Sequence, residues 1–288
     1  MKKIRLLTVL SALICAATLS ACGASSLNDN GGDGQDGSDP VAKVYKTEGT
    51  YEVGKDIDAA EYLLVCTGNT GGYLTVNLGK IGFLYNESFS GRRYVIVNAG
   101  EFLTFEGANL YKLDEAPEMA KATDGGYSPG QYKGGRDIPA GEYLIVDPTD
   151  NSLNRIQQLL APNADFLSSD ILFDKTFSYR HYVKIADGQY VSFKYGKLYE
   201  AAAAPKIILT GDFYKPGQYK VGADIPAGDY TLSVPEGATS TYEITMLPLC
   251  SLLSDAHVAN GILAQDSPIR LADGQYIHFD RGRLALNP

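Results

Sequence analysis

The chain has no tryptophan and only three histidines among its 288 residues. His181, His257 and His278 do not recur at equivalent positions of the sequence, and their spacing is not that of a metal site. We therefore expect histidines that are exposed or half-buried. Nucleotide-binding glycine loops and the nucleophile elbow of serine hydrolases are also missing. The sequence thus predicts no metal, no cofactor and no catalytic residue.

Cysteine is scarce as well, with four residues in the whole chain. Beyond Cys22 only Cys66 and Cys250 remain, and they occupy non-equivalent places, which argues against a disulfide framework. Cys66 stands at a core-facing position of a predicted strand. We therefore expect its thiol to be buried and unreactive.

Basic residues are outnumbered, with 25 Lys and Arg against 34 Asp and Glu, a net charge of −9. Residues 1–21 hold three of the basic residues and none of the acidic ones, so the rest of the chain carries −12. Nucleic acids and anionic lipid surfaces both attract clustered cations. The composition argues against either as a direct partner and leaves a neutral or cationic partner open.

Residues 6–18 form an apolar run of 13 residues, too short to span a bilayer, behind a basic start. Leu-Ser-Ala-Cys follows at 19–22, and this order of features resembles the lipobox of bacterial lipoproteins. The resemblance implies removal of a signal peptide, residues 1–21, and attachment of lipid such as palmitate to Cys22. The acyl chains would anchor an exported protein to the outer face of the bacterial cell membrane. Residues 22–48 are polar and glycine-rich, which predicts a flexible tether.

Most of the remaining chain repeats one unit three times. The openings at residues 49–62, 130–143 and 217–230 share the pattern G-x-Y-x-x-G-x-D-I-x-A-x-x-Y. The closings at 97–105, 185–193 and 271–279 each place an aromatic residue two positions after a glycine. We infer three modules, 49–113, 130–199 and 217–286, whose middles diverge.

The repeat has the alternation of β-strands. Tyr230, Leu232 and Val234 alternate with polar residues, the period of a half-buried strand. We predict an all-β fold of three small modules, each with five or six strands in a sandwich or a partly open barrel. Residues 73–78 and 242–246 are further strands in this prediction, and residues 152–161 are its one helix.

Recurrent turn residues flank the strands. Asp56, Asp137 and Asp224 precede a tight turn, near the acidic residues Glu61, Glu142 and Asp229. A carboxylate pair can transfer protons or bind a cation, but an aspartate beside a turn commonly accepts backbone N–H groups, and we favour that structural role. The closing turn keeps only its glycine in all three copies, which predicts a left-handed residue at Gly100, Gly188 and Gly274.

Phe102, Tyr190 and Tyr276 recur on the strand face opposite the predicted core. Aromatic side chains there could stack on a sugar ring or a peptide, which makes them candidate binding residues. Packing under the divergent middle segment is the other interpretation, and we favour it.

The opening and closing patterns resemble a group of lipoproteins of Gram-positive bacteria that carry G-x-Y-x-V-G-x-D-I-P-A-G-x-Y followed by an A-D-G-Q-Y-type hairpin. The resemblance covers the three modules, with departures at Asp58, Ala60 and Gly134. It implies display of small β modules on the cell envelope and implies no reaction.

The leading hypothesis is a non-enzymatic envelope protein whose repeated modules bind a protein or glycan partner, since tandem weak sites gain from effective concentration. A structural spacer is the alternative, and the oligomeric state is left open. An enzyme of glycan or peptide processing is a third hypothesis. Its site would lie in residues 144–181, which contain Asp147, Asp150, Asp165, Asp170 and Asp174.

Cys22→Ser should abolish lipid attachment, because the hydroxyl cannot replace the thiol as the acceptor. We expect no incorporation of radiolabelled palmitate and release of the protein from the membrane fraction. Cys15→Ser is the matched control, since it removes a thiol inside the apolar run and should leave both readouts unchanged. Continued labelling of the Cys22→Ser protein would contradict the prediction.

Overall fold

The computed structural model describes residues 42–79, 82–149, 154–163, 169–207, 209, 211–248 and 256–288. The predicted signal peptide, Cys22, Cys250 and most of the predicted tether lie outside these residues. The described part of the chain contains no helix with the length and apolar character that a bilayer span requires.

The all-β prediction is confirmed, with seven strands in each module rather than five or six. Module 1 contains β1 (Gly49–Glu52), β2 (Ala60–Cys66), β3 (Gly72–Leu78), β4 (Gly82–Phe89), β5 (Arg92–Val97), β6 (Glu101–Glu106) and β7 (Ala108–Lys112). Module 2 contains β8 (Gly130–Lys133), β9 (Gly141–Val146), β10 (Asn154–Leu159), β11 (Ile171–Phe177), β12 (Arg180–Ile185), β13 (Tyr190–Phe193) and β14 (Lys197–Glu200). Module 3 contains β15 (Gly217–Lys220), β16 (Gly228–Ser233), β17 (Ser240–Thr245), β18 (His257–Leu263), β19 (Ser267–Leu271), β20 (Tyr276–Phe279) and β21 (Arg283–Leu286).

Each module has two antiparallel sheets with the same topology. In module 1 the four-stranded sheet has the order β1-β6-β3-β4 and the three-stranded sheet has the order β5-β2-β7. Modules 2 and 3 repeat both orders strand for strand. Among the described residues no sheet closes into a barrel, so each module is a small sandwich of two open sheets.

The core of each sandwich lies between its two sheets. In module 1 Leu64 and Val95 from one sheet meet Leu74 and Phe105 from the other, all four fully buried. The strands β3 and β17 confirm the strands predicted at 73–78 and 242–246. Burial of alternate apolar side chains on both sheets is the main stabilising contribution.

The last tyrosine of each signature, Tyr62, Tyr143 or Tyr230, is buried in the core, and its hydroxyl group stays paired. Tyr62 donates to the carbonyl of Asp58 at 2.9 Å, and Tyr230 donates to that of Pro226 at 2.6 Å. Burial raises the pKa of Tyr62 and of Tyr230 to about 12. Each ring therefore fills the core while its hydroxyl, still protonated, holds the turn four residues upstream.

The recurrent turn residues take the same geometry in every module. Asp56, Asp137 and Asp224 each accept the backbone N–H of the residue four positions earlier, at 2.8–2.9 Å. The glycine of the closing turn has a φ of 80–86° in all three copies, a left-handed conformation that side chains resist.

The predicted helix at residues 152–161 is wrong, because the described part of that segment is strand β10. Asn154, Ile156 and Gln158 all turn to the buried side, but two of the three are polar and conceal the alternation in the sequence. The amide groups donate internally, since Asn154 donates to the Tyr195 carbonyl at 3.0 Å and Gln158 to the Lys184 carbonyl at 2.7 Å. The Gln158 Oε1 is buried without a hydrogen-bond partner among the described residues.

The predicted tether ends earlier than residue 48. Tyr45 donates its N–H to the Leu110 carbonyl at 2.9 Å and stacks on Tyr62, with ring centroids 5.8 Å apart. Lys46 forms an antiparallel bridge with Leu110, and Tyr127 and Tyr214 form the equivalent bridges with Leu198 and Leu284 ahead of the later modules. Short 3-10 turns at Leu113–Glu115 and Ala201–Ala203 follow the last strand of modules 1 and 2.

Candidate functional site between the modules

The recurrent aspartate of each later module also contacts the module before it. Asp137 accepts from Arg92 Nη2 at 2.9 Å and from the Tyr94 hydroxyl at 2.6 Å. Burial and the neighbouring carboxylate raise the pKa of Tyr94, so its hydroxyl remains a donor. The Arg92 side chain is 6% exposed and that of Asp137 is 2% exposed, which makes this a desolvated ion pair.

The junction between modules 2 and 3 repeats this arrangement. Asp224 accepts from Arg180 Nη2 at 2.8 Å and from the Tyr182 hydroxyl at 2.7 Å. Arg92 and Arg180 are the first residues of β5 and β12, and each tyrosine follows two positions later. One turn residue therefore holds its own loop and the preceding module at once.

A second polar cluster lies beside each ion pair. Lys133 binds Glu61 of module 1 at 2.7 Å, and the Tyr190 hydroxyl donates to the same carboxylate. Tyr190 and Tyr94 meet edge to face, with centroids 5.5 Å apart. At the second junction the corresponding residues, Lys220, Glu142, Tyr276 and Tyr182, make the same contacts.

Glutamine and glycine complete each junction. The Gln131 carbonyl oxygen accepts the Tyr94 backbone N–H at 3.0 Å, and Gln218 accepts that of Tyr182 at 2.8 Å. A Cβ at Gly130 would lie 3.0 Å from Arg92 Cγ, and a Cβ at Gly217 would lie 3.0 Å from Arg180 Cγ. The first glycine of the signature therefore allows close approach of the preceding module.

The three aromatic residues that the sequence offers as candidate binding residues lie in two different environments. Tyr190 and Tyr276 are 3% exposed inside the junctions, so their rings are not open to a ligand. Phe102 is half-buried on the outer face of module 1, which meets no other module among the described residues. The acidic residues predicted beside the turn aspartates have another role, since Glu61 and Glu142 bind the junction lysines.

The junction residues are replaced on the two faces that point away from module 2, one on module 1 and one on module 3. On module 1 the positions of Gln131 and Lys133 hold Thr50 and Glu52. On module 3 the positions of Arg180 and Tyr182 hold Asp266 and Pro268, as the strand pairing aligns them. Pro268 has no N–H to give to a following module.

The first junction borders an open cleft of about 310 Å³. Glu87 and Arg93 line it from module 1, and Arg155, Ser192 and Lys194 line it from module 2. Arg93 binds Glu87 at 2.7 Å and also donates to the Tyr85 hydroxyl. Arg155 binds Asp174, so acidic neighbours hold both guanidinium groups in place.

At the second junction side chains fill the corresponding position. His181 and His278 lie with ring centroids 5.6 Å apart and are 1% and 3% exposed. The expectation of exposed or half-buried histidines is wrong for these two, because the junction buries them, and it is correct only for His257. Desolvation and the nearby Lys175 lower the pKa of His181 to about 3 and lower that of His278 well below its usual value.

The acidic residues of the third hypothesis do not converge where they are described. Asp147 is buried and accepts from the Thr149 N–H and hydroxyl at 3.0 and 2.6 Å, which is a loop-stabilising role. Asp174 binds Arg155. Asp150 and Asp165 lie outside the described residues. Within the described residues no three acidic, histidine or cysteine side chains could together hold a metal ion.

Cys66 is half-buried rather than fully buried. Burial raises the pKa of its thiol, which lowers the fraction of reactive thiolate at neutral pH.

Comparison with protein-family models and with curated proteins finds no match to this chain.

Asp224→Asn should uncouple module 3, because it leaves Arg180 buried without a countercharge. We expect a loss of about 3 kcal/mol in the free energy of unfolding, measured by denaturant titration, and faster tryptic cleavage within residues 200–216. Asp56→Asn is the matched control, since Asp56 holds the same turn without contact to another module in the described part of the chain, and should cost about 1 kcal/mol. Equal losses for both variants would contradict the junction role.

The second junction should weaken in acid. A folded-state pKa below the unfolded value of about 6.5 means that the unfolded chain binds more protons, so stability falls as pH drops below 6.5. We expect up to about 1.4 kcal/mol per pH unit for each of His181 and His278 between pH 6.5 and 5, measured by denaturant titration.

Lys175 lies 3.2 Å from His278 Nδ1, Asp280 lies 3.6 Å from its Nε2, and Glu243 binds Lys175 at 3.3 Å. Only Asp280 and Glu243 favour the protonated ring, and burial opposes them. His278→Ser, the residue found at position 192, should reduce the pH slope by about half. An unchanged slope would contradict the assignment.

Proposed function

We propose that this chain is an exported lipoprotein, held by lipid on Cys22 to the outer face of the bacterial cell membrane, whose three coupled modules bind a partner of the cell envelope. The partner is a protein or a glycan, and the protein catalyses no reaction. The observation that carries the proposal is the duplicated junction. Its buried ion pairs fix successive modules in one arrangement, so surfaces on different modules are presented together to one partner.

Exposed apolar side chains favour binding over a structural spacer. Phe83 and Leu84 on the edge strand β4 are 63% and 45% exposed, and Ile262 on the equivalent strand β18 is 74% exposed. An unpaired strand edge that carries large apolar side chains is a typical docking place for a partner. A spacer gains nothing from such residues, which lower solubility.

The proposal predicts that the immobilised mature chain retains a purified envelope protein or wall glycan. Phe83→Ser should weaken retention about tenfold, because burial of one large apolar side chain contributes about 1.5–3 kcal/mol. Leu286→Ser is the matched control, since Leu286 is 46% exposed on the last strand of module 3. Absence of retention from both fractions, with a phenotype that depends only on module number, would favour the spacer.

A further inference from the structure

The cleft beside the first junction is basic in an acidic protein. Arg92, Arg93, Arg155 and Lys194 line it together with a single acidic residue, Glu87, whereas the chain as a whole carries −9. Asp137 and Asp174 pair with two of these cations but do not line the cleft. Glu87 pairs with Arg93, so Lys194 is the one cation of the lining without an ion pair among the described residues, and its charge attracts an anion.

Arg93 has one donor that the described residues leave unsatisfied. Its Nε and Nη2 bind Glu87 and Tyr85, while Nη1 is buried and has no hydrogen-bond partner among the described residues. The side chain is only 5% exposed. A buried guanidinium N–H without a partner costs free energy, so a ligand acceptor at this edge of the cleft would be stabilising.

At the second junction side chains occupy the position that corresponds to the cleft. Its equivalent of Arg93 is His181, and its equivalent of Ser192 is His278, which packs against that ring. Lys175 and Glu243 form an ion pair beside them at 3.3 Å. The small Ser192 therefore keeps the first cleft open, and the openness is a local property of the sequence rather than of the repeat.

The uncharged lining is suited to a sugar. Ser88, Ser90 and Ser192 supply hydroxyl groups around the basic residues, and Gln157 supplies an amide that also donates to Asp174 at 3.0 Å. Polar side chains that both donate and accept hydrogen bonds match the hydroxyl groups of a saccharide. A volume of about 310 Å³ is at the lower end of the range for small-ligand sites.

We infer that this cleft binds an anionic sugar unit, one that carries a carboxylate or a phosphate group. Arg93, Arg155 and Lys194 face the anionic group, and Ser192 and Gln157 bind the hydroxyl groups. The inference rests on the proposed function, because it names the chemical class of an envelope glycan. It also refines the expectation of a neutral or cationic partner, since the net negative charge of the chain conceals one local basic site.

The test is titration of the full mature chain with glucuronic acid, glucose 6-phosphate, glucose and inorganic phosphate, followed by NMR or calorimetry. We expect the two sugar acids to bind more tightly than glucose and inorganic phosphate, with affinity that falls as salt rises. Lys194→Gln should weaken binding of the sugar acids by about tenfold. Lys184→Gln is the matched control, since Lys184 is an exposed lysine of the same module outside the cleft.

Ser192→His provides a second variant that leaves the charges in place. It introduces the residue that occupies the second junction and should block the cleft, with loss of binding and an unchanged unfolding transition. Binding that survives both variants, or equal affinity for glucose 6-phosphate and inorganic phosphate, overturns the inference. One result would separate this inference from the proposed function. If the wild type does not bind sugar acids and Ser192→His still retains envelope fractions, sugar-acid binding by the cleft is refuted and the proposed function stands.

Discussion

The arrangement of the three modules depends on the ion pair made by the aspartate of the opening turn. In modules 2 and 3 this aspartate accepts a backbone N–H of its own loop together with an arginine and a tyrosine hydroxyl of the module before it. A buried charge is tolerated only when it is fully paired, so folding of the turn and docking of the preceding module stabilise each other. The same residue in module 1, Asp56, shows the turn without the docking.

The fold was largely predictable, because the repeat shows the apolar–polar alternation of β-strands and has turn residues that each favour one backbone conformation. The left-handed closing glycines and the strands β3 and β17 follow from such local rules. Strand β10 was missed because Asn154 and Gln158 place polar groups in the interior, where their partners come from distant strands. A local sequence pattern does not reveal hydrogen-bond partners that are distant in the sequence.

The junctions were harder to predict, since their residues belong to separate modules and meet only in space. The recurrence of Glu61 with Glu142, and of Arg92 with Arg180, is the signal that could have found them. These residues recur in modules 1 and 2 and change in module 3, and the receiving residues Gln131 and Lys133 recur in module 3 and change in module 1. A residue conserved in only two of three copies, on the side facing a neighbour, indicates contact with that neighbour.

The different end faces determine how such a chain can vary in length. Only module 2 has the full set of junction residues on both faces: Gln131 and Lys133 toward module 1, and Arg180 and Tyr182 toward module 3. Module 1 has Thr50 and Glu52 in place of the first pair, and module 3 has Pro268 in place of the tyrosine. A fourth copy added at either terminus would meet a surface without the matching groups. Duplication of the middle copy would create a correct new boundary on each side, so evolution or an engineer can extend this molecule from its interior.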